Sequence, residues 1–240
     1  MRPRVAIFRP DDGRLEATAD RIRAHDCEPV CDPMLAVEPT GATPPAADLV
    51  VVTSVTGARL LDEADWPADA PIAAIGPATA DALRAHGYRV DVVPGTYSSA
   101  GLVTALADRV AGDRVVLARS DRGSGVLPEG LRDAGATVEE TVLYELVRPA
   151  EAGESVAMAA DGALDGALFT ASMTVQNFVA IARDRDVLDA VREGLADAVV
   201  GAIGEPTARA AREAGLSVDV VPSEADADAL ADAVCDRLRE

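Results

Sequence analysis

The chain has 240 residues, 49% of them apolar, and a formal net charge of −19. This length suits two domains of ordinary size, and the acidic surplus turns away nucleic acid and anionic membranes. All 22 basic residues are Arg, so a Schiff base, a pyridoxal phosphate anchor and a Gly-Lys-Ser/Thr phosphate loop are excluded.

Val-rich runs ending at Gly, Ser, Thr or Pro mark strands, and the segments between them read as helices. Arg4 to Arg9 is the first strand, with Asp11 and Asp12 as turn and helix-capping residues. A helix from Leu15 to His25 and a strand from Pro29 to Asp32 follow. The next strands are Asp48 to Thr53, Ile72 to Gly76 and Val90 to Val93, with helices after Ser54, from Pro77 to His86 and from Ser98 to Val110. The second half repeats the order, with strands at Arg114 to Arg119, Thr137 to Glu140, Gly166 to Thr170, Ala198 to Gly204 and Val218 to Val221. Alternation of this kind predicts an α/β protein with parallel sheets. No stretch reaches the roughly 18 apolar residues of a bilayer helix, and the N-terminus has no apolar signal core, so a cytoplasmic protein is expected.

The segment from Ala74 to Pro94 recurs from Ala202 to Pro222 with Ile-Gly, Thr-Ala and Val-Asp-Val-Val-Pro unchanged. Arg4-Val-Ala-Ile-Phe-Arg9 likewise pairs with Arg114-Val-Val-Leu-Ala-Arg119, and Asp48 to Thr53 with Asp165 to Thr170. A repeat of this length means two similar domains. Helix N-termini that open at strand ends would line a cleft between them from both sides. Read as a plain tandem, the chain would divide near Ala111. Two short Pro-bounded stretches, Pro33 to Pro39 and Tyr144 to Pro149, break the alternation at corresponding places and are read as crossings between domains. His25, Cys27 and Cys31 form the one conceivable metal cluster, but Cys more commonly serves as a small buried hydrophobe, so no metal is expected.

The strand ending in Arg9-Pro10, the strand ending in Thr53-Ser54, the twin Ile-Gly-x-x-Thr-Ala turns and the Tyr at Tyr144 together resemble the uroporphyrinogen-III synthase family. The resemblance runs over essentially the whole chain. It implies two flavodoxin-like domains joined by a two-stranded connection: residues 1–36 with 148–240, and residues 37–147. It also implies a cofactor-free enzyme that closes the linear tetrapyrrole hydroxymethylbilane; a monomer is expected. The substrate loses its terminal hydroxyl as water, ring D inverts through a spiro intermediate, and uroporphyrinogen III results.

Carried onto this sequence, the resemblance makes Tyr144 the catalytic general acid. Substrate carboxylates fall to Arg9 and Arg119, which end equivalent strands. Hydroxyl and backbone donors come from the turns holding Ser54, Thr79, Ser172 and Thr207, where small side chains let carboxylates approach helix N-termini. Thr79 and Thr207 also read as helix caps. The second turn has Ala171 where the first has Ser54, which leaves open which hydroxyl acts there. Tyr97 lies in a loop that would line the cleft. A non-catalytic two-domain binder or sensor of an anionic metabolite is the alternative. A nucleotide-binding protein is disfavoured, because no Gly-x-Gly-x-x-Gly follows the first strand.

A chain without Lys and with 19 surplus negative charges reads as adapted to salt. Self-repulsion weakens as the screening length falls from roughly 10 Å at 0.1 M to about 3 Å at 1 M salt. The melting temperature should therefore climb with potassium chloride. A curve flat from low to molar salt would remove this reading.

Overall fold

Strands whose residues are all buried need cover on both faces, which parallel sheets obtain from crossover helices. Leu49-Val-Val-Val52 and Gly166-Ala-Leu-Phe169 are buried throughout. A computed structural model of the chain describes residues 2–10 and 14–240. It divides into two units, Met1–Ala36 with Val147–Glu240, and Val37–Leu146. Ala111 falls inside the second, so the tandem division is replaced by a chain that leaves one unit, completes the other and returns. Asp11 and Asp12 lie outside the described residues.

In the first unit, strands β1 (Arg4–Phe8), β2 (Glu28–Cys31), β8 (Gly166–Phe169) and β9 (Val199–Ala202) form a parallel sheet in the order β2-β1-β8-β9. Helices α1 (Arg14–Ala24) and α10 (Ala227–Arg237) cover one face, where Val5, Ile7 and Leu168 meet Ile22 and Val234. Helices α6 (Glu154–Ala160), α7 (Ser172–Asp184), α8 (Leu188–Gly194) and α9 (Glu205–Glu213) cover the other. There Phe8, Phe169 and Phe178 cluster, with ring centroids 4.5 to 5.5 Å apart. The sequence pattern does not announce α6 and α8, which are short and have no Val run marking their ends.

The second unit holds β3 (Ala36–Pro39), β4 (Leu49–Val52), β5 (Ile72–Ala74), β6 (Arg114–Ser120) and β7 (Thr137–Val147) in the order β3-β7-β6-β4-β5. Helices α2 (Val55–Glu63) and α3 (Pro77–Ala85) pack on one face, α4 (Ser99–Leu106) and α5 (Val126–Asp133) on the other. The series β7-β6-β4-β5 repeats β2-β1-β8-β9 place for place. The repeated Asp residues do the same work in both units. Asp165 accepts from the Arg4 N–H at 2.7 Å and Asp48 from the Arg114 N–H at 2.8 Å. Asp219 accepts from Val200 at 2.9 Å and Asp91 from Ile72 at 3.2 Å. Each satisfies a strand N–H that its own ladder leaves open.

Four element readings change. The strands expected at Val90 to Val93 and Val218 to Val221 shrink to single bridges, Ala73 with Val92 and Gly201 with Val220. Pro94 and Pro222 follow, and neither has an N–H to continue a ladder. The helix expected to reach Val110 stops at Leu106, where the chain turns and Arg109 N–H bonds the Leu106 carbonyl. Strand β7 runs for 11 residues and absorbs most of the stretch from Tyr144 to Pro149.

The end of β2 is fastened to the start of α6 by one carboxylate. Asp32 is buried and accepts from the N–H of Gly153 at 3.0 Å, the N–H of Ser155 at 2.8 Å and the Ser155 hydroxyl. Gly153 takes a φ of +117°, open to glycine, and its carbonyl accepts from Arg185. Removing the carboxylate strands buried donors. Asp32→Ala should cost about 3 kcal/mol, read by urea unfolding; a loss below about 1 kcal/mol would show the clamp to be dispensable.

Candidate active site

Open parallel sheets bind ligands at the carboxyl ends of their strands, and the candidate residues gather there in each unit. In the second unit, Val50, Val52, Val116 and Ala118 face α2 and α3, while Leu49, Val51, Val115 and Leu117 face α4 and α5. Along β7, Val138 belongs to the α4/α5 face, and strict alternation would send Tyr144 the same way. The register with β6 shifts, however: Arg119 pairs with Val142 but Ser120 with Tyr144. This bulge places Leu143 and Tyr144 in one cluster, on the α2/α3 face.

There the phenol meets the start of α2. Ser54 is the N-cap, extended at φ −156°, and its Oγ accepts from the Gly57 N–H at 2.9 Å. The Tyr144 hydroxyl donates to the same Oγ at 3.0 Å. Tyr144 is 7% exposed and Ser54 half-buried. A Cβ on Gly57 would lie 3.1 Å from the Ser54 Oγ and 3.3 Å from Leu143, so glycine lets the helix seat close to both. The backbone holds Tyr144 from the other side, where its carbonyl accepts from Asp121 N–H and Asp121 accepts from Leu146 N–H.

Thr79 and Thr207 sit in matched first turns and are both 4% exposed. Neither caps its helix. Gly76 and Gly204 are the N-caps, and Pro77 and Pro206 occupy the first turn. Tyr97 is 65% exposed, with its Cβ 3.2 Å from where a Cβ on Gly76 would stand.

The matched arginines differ. Arg119 is buried, donates to the Ser124 carbonyl at 2.9 Å and lies 3.5 Å from Glu140. Its guanidinium lies flat on Gly123, where a Cβ would stand 1.9 Å away. Arg9, 8% exposed, lines a cavity of about 410 Å³ with Arg14, Thr18, Thr170, Ile203 and Asp226. It donates to Thr18 Oγ1 at 3.1 Å, and Thr18 donates in turn to the Arg14 carbonyl. Thr18 carries no sequence signal; it is found because a helical turn brings it under the end of β1. The second Ser turn also departs from the first. Ala171 is the N-cap of α7 and gives no side-chain bond, Ser172 is half-buried, and the buried Thr174 donates to the Ala171 carbonyl at 2.7 Å.

The His25 ring turns to Asp232, with Nε2 2.8 Å from its carboxylate. A hydrogen bond from Arg21, with a further one from His25, holds the Asp232 carboxyl below the usual carboxylate range. Burial, then neighbouring Cys27, pushes the Cys235 thiol up to about 12, which keeps it a protonated core group. Among the described residues no three His, Cys, Asp or Glu gather as a metal site, and no helix is long and apolar enough to cross a membrane.

A family model for uroporphyrinogen-III synthase HemD matches residues 16–232. A Methanothermobacter thermautotrophicus protein, provisionally named a uroporphyrinogen-III synthase, is 37% identical over 62% of this chain and 60% of its own length. The uroporphyrinogen-III synthase of Chlorobaculum parvum is 28% identical over 69% of this chain and 66% of its own. The matched stretch thus spans slightly under two thirds of either relative. The fold is shared with a mutant uroporphyrinogen III synthase of Thermus thermophilus, at a TM-score of 0.68 and 23% identity over 99% of this chain and 98% of that one. With a family match running through both units, this chain belongs to the uroporphyrinogen-III synthase family.

Proposed function

We propose that the chain is a uroporphyrinogen-III synthase that converts hydroxymethylbilane to uroporphyrinogen III without a cofactor. The observation that carries this reading is the family match over residues 16–232. Each unit is then a flavodoxin-like domain, a description supported by the order β2-β1-β8-β9 and its repeat β7-β6-β4-β5. Strands β3 and β7, neighbours in one sheet, carry the chain out of the first unit and back.

The reaction asks for a proton at a departing hydroxyl and for a long polyanionic chain held bent until its ends meet. Positioning of this kind is worth as much as roughly 7–11 kcal/mol in favourable intramolecular cases. In this reading the hydrogen-bonded pair of Tyr144 and Ser54 supplies the proton. Carboxylates of the substrate are received at the strand ends by Arg9, by the turns of Thr79, Ser172 and Thr207, and by the loop that Arg119 pins through Ser124. Small turn residues expose helix N-termini, whose partial positive charge suits carboxylates. A non-catalytic binder would have no use for a phenol aimed at a half-exposed hydroxyl.

Purified protein given hydroxymethylbilane should turn the product from isomer I to isomer III of uroporphyrinogen; isomer I alone would overturn the assignment. Tyr144→Phe should lower kcat by roughly ten- to a hundredfold with KM little changed, since the bond it removes strengthens as the hydroxyl leaves. Thr207→Val should instead raise KM severalfold and leave the melting temperature in place. Tyr144→Phe at full kcat would remove the phenol from the chemistry.

A further inference from the structure

Building on that reading, we infer that Ser54 is the residue that hands the proton to the departing hydroxyl, and that Tyr144 is a positioning residue that recharges it from behind. A serine hydroxyl has two acceptor lone pairs and one proton. Here the Gly57 N–H occupies one lone pair at 2.9 Å and the Tyr144 hydroxyl the other at 3.0 Å. The proton is then all that Ser54 has left to offer, and the direction of donation is set by the two bonds it already accepts. Tyr144, 7% exposed, has its own proton committed to Ser54. Ser54 is the more accessible member of the pair and stands at the carboxyl end of β4, in the first turn after the strand.

The N-terminal end of α2 supports this assignment. Its partial positive charge favours the oxygen that is briefly losing a proton, and the Gly57 N–H is held on that oxygen throughout. In the step itself, the substrate C–O bond breaks with its electron pair on oxygen, the adjacent pyrrole nitrogen fills the carbon, and Ser54 Oγ–H supplies the proton that makes the leaving group water. Ser54 takes the phenol proton as it gives its own, leaving tyrosinate at Tyr144. Ring closure releases one proton from the carbon that is joined, and this proton returns through Ser54 to the phenolate. The cycle balances without an outside acid.

The matched turn of the other unit lacks every part of this arrangement. Ala171 stands at the cap, Thr174 replaces Gly57 and turns its hydroxyl to the Ala171 carbonyl. Counted from the paired strand starts Glu28 and Thr137, Leu35 holds the place of Tyr144.

The test uses the full chain with Ser54→Gly, Ser54→Thr, Tyr144→Phe and the double variant Ser54→Gly/Tyr144→Phe. Gly is tolerated as an N-cap at small cost, so the helix start is kept while the hydroxyl goes. Ser54→Gly should lower kcat about as much as Tyr144→Phe, by roughly ten- to a hundredfold, with KM within about twofold. The double variant should be no slower than the slower single, because both remove one relay. Ser54→Thr, which keeps the donor, should restore kcat to within about threefold. A wild type that makes isomer III while Ser54→Gly keeps full kcat overturns the relay alone, as does a double variant slowed by the product of the two single losses. A wild type that makes isomer I only would remove the activity, and the relay with it.

Discussion

Alternation along a parallel strand sends neighbouring side chains to opposite cores, and the site depends on breaking that rule once. Leu143 and Tyr144 are consecutive, yet both pack among Val52, Ala118 and the α2 residues. The register shift opposite Arg119 and Ser120 is what permits it. Without the shift the phenol would turn toward α4 and α5, where Leu102 and Leu127 are fully buried and hold no hydroxyl for it. A buried phenol needs a partner, since an unpaired hydroxyl in a core costs about 1–3 kcal/mol. The shift therefore both aims Tyr144 and supplies its acceptor. Bulges at strand ends commonly re-aim a side chain in this way.

Charge poses the second constraint. On the proposed function, a chain with a net charge of −19 holds a substrate bearing many carboxylates, and it has no basic surface with which to do so. Arginines near the strand ends are instead drawn inward. Arg119 is fixed by Ser124 and Glu140, and Arg9 reaches Thr18 within its cavity. On that reading, donation to the substrate falls to backbone N–H groups at helix starts, whose partial charge no surface composition alters. Gly76 and Gly204 as N-caps, each followed by Pro in the first turn, leave those starts uncovered by any capping side chain. The acidic exterior and the donor-bearing strand ends are thus separate features of the chain.

Much of the fold was legible because the repeat is carried by residues with a backbone duty. Asp48, Asp165, Asp91 and Asp219 recur since each bonds the N–H at the edge of a strand. Thr79 and Thr207 recur at matched, buried positions. What stayed hidden depends on contacts between distant segments. No pattern around Tyr144 announces a bulge, because the extra residue, Leu143, is as apolar as a regular strand position would be. The capping role read into Thr79 and Thr207 failed because the extended glycine before each Pro already ends the strand and starts the helix. Burial of Arg119 follows from Gly123, whose missing side chain makes room for the guanidinium. A glycine in a loop looks the same in sequence whether it serves a turn or a close approach. Regular alternation shows only two like halves; the exit of the chain from one unit and its return are marked by the Pro-bounded breaks at Pro33 to Pro39 and Tyr144 to Pro149.

The matched turns of the two units differ where the proposed chemistry is placed. A single strand-end turn offers a limited number of hydroxyls, and a proton donor and an anion cradle make opposite demands on them. Ser54 gives both lone pairs away and so must donate outward. Thr174 gives its proton to the Ala171 carbonyl, which closes the turn and leaves the start of α7 to its backbone. Leu35, in the place of Tyr144, lines the cavity of the first unit with an apolar wall beside Arg9. On the proposed function, a phenol there would compete with substrate carboxylates for the arginine. On the proposed function, one copy of the fold keeps the hydroxyl pair of Tyr144 and Ser54, while the other keeps a cavity lined by Arg9.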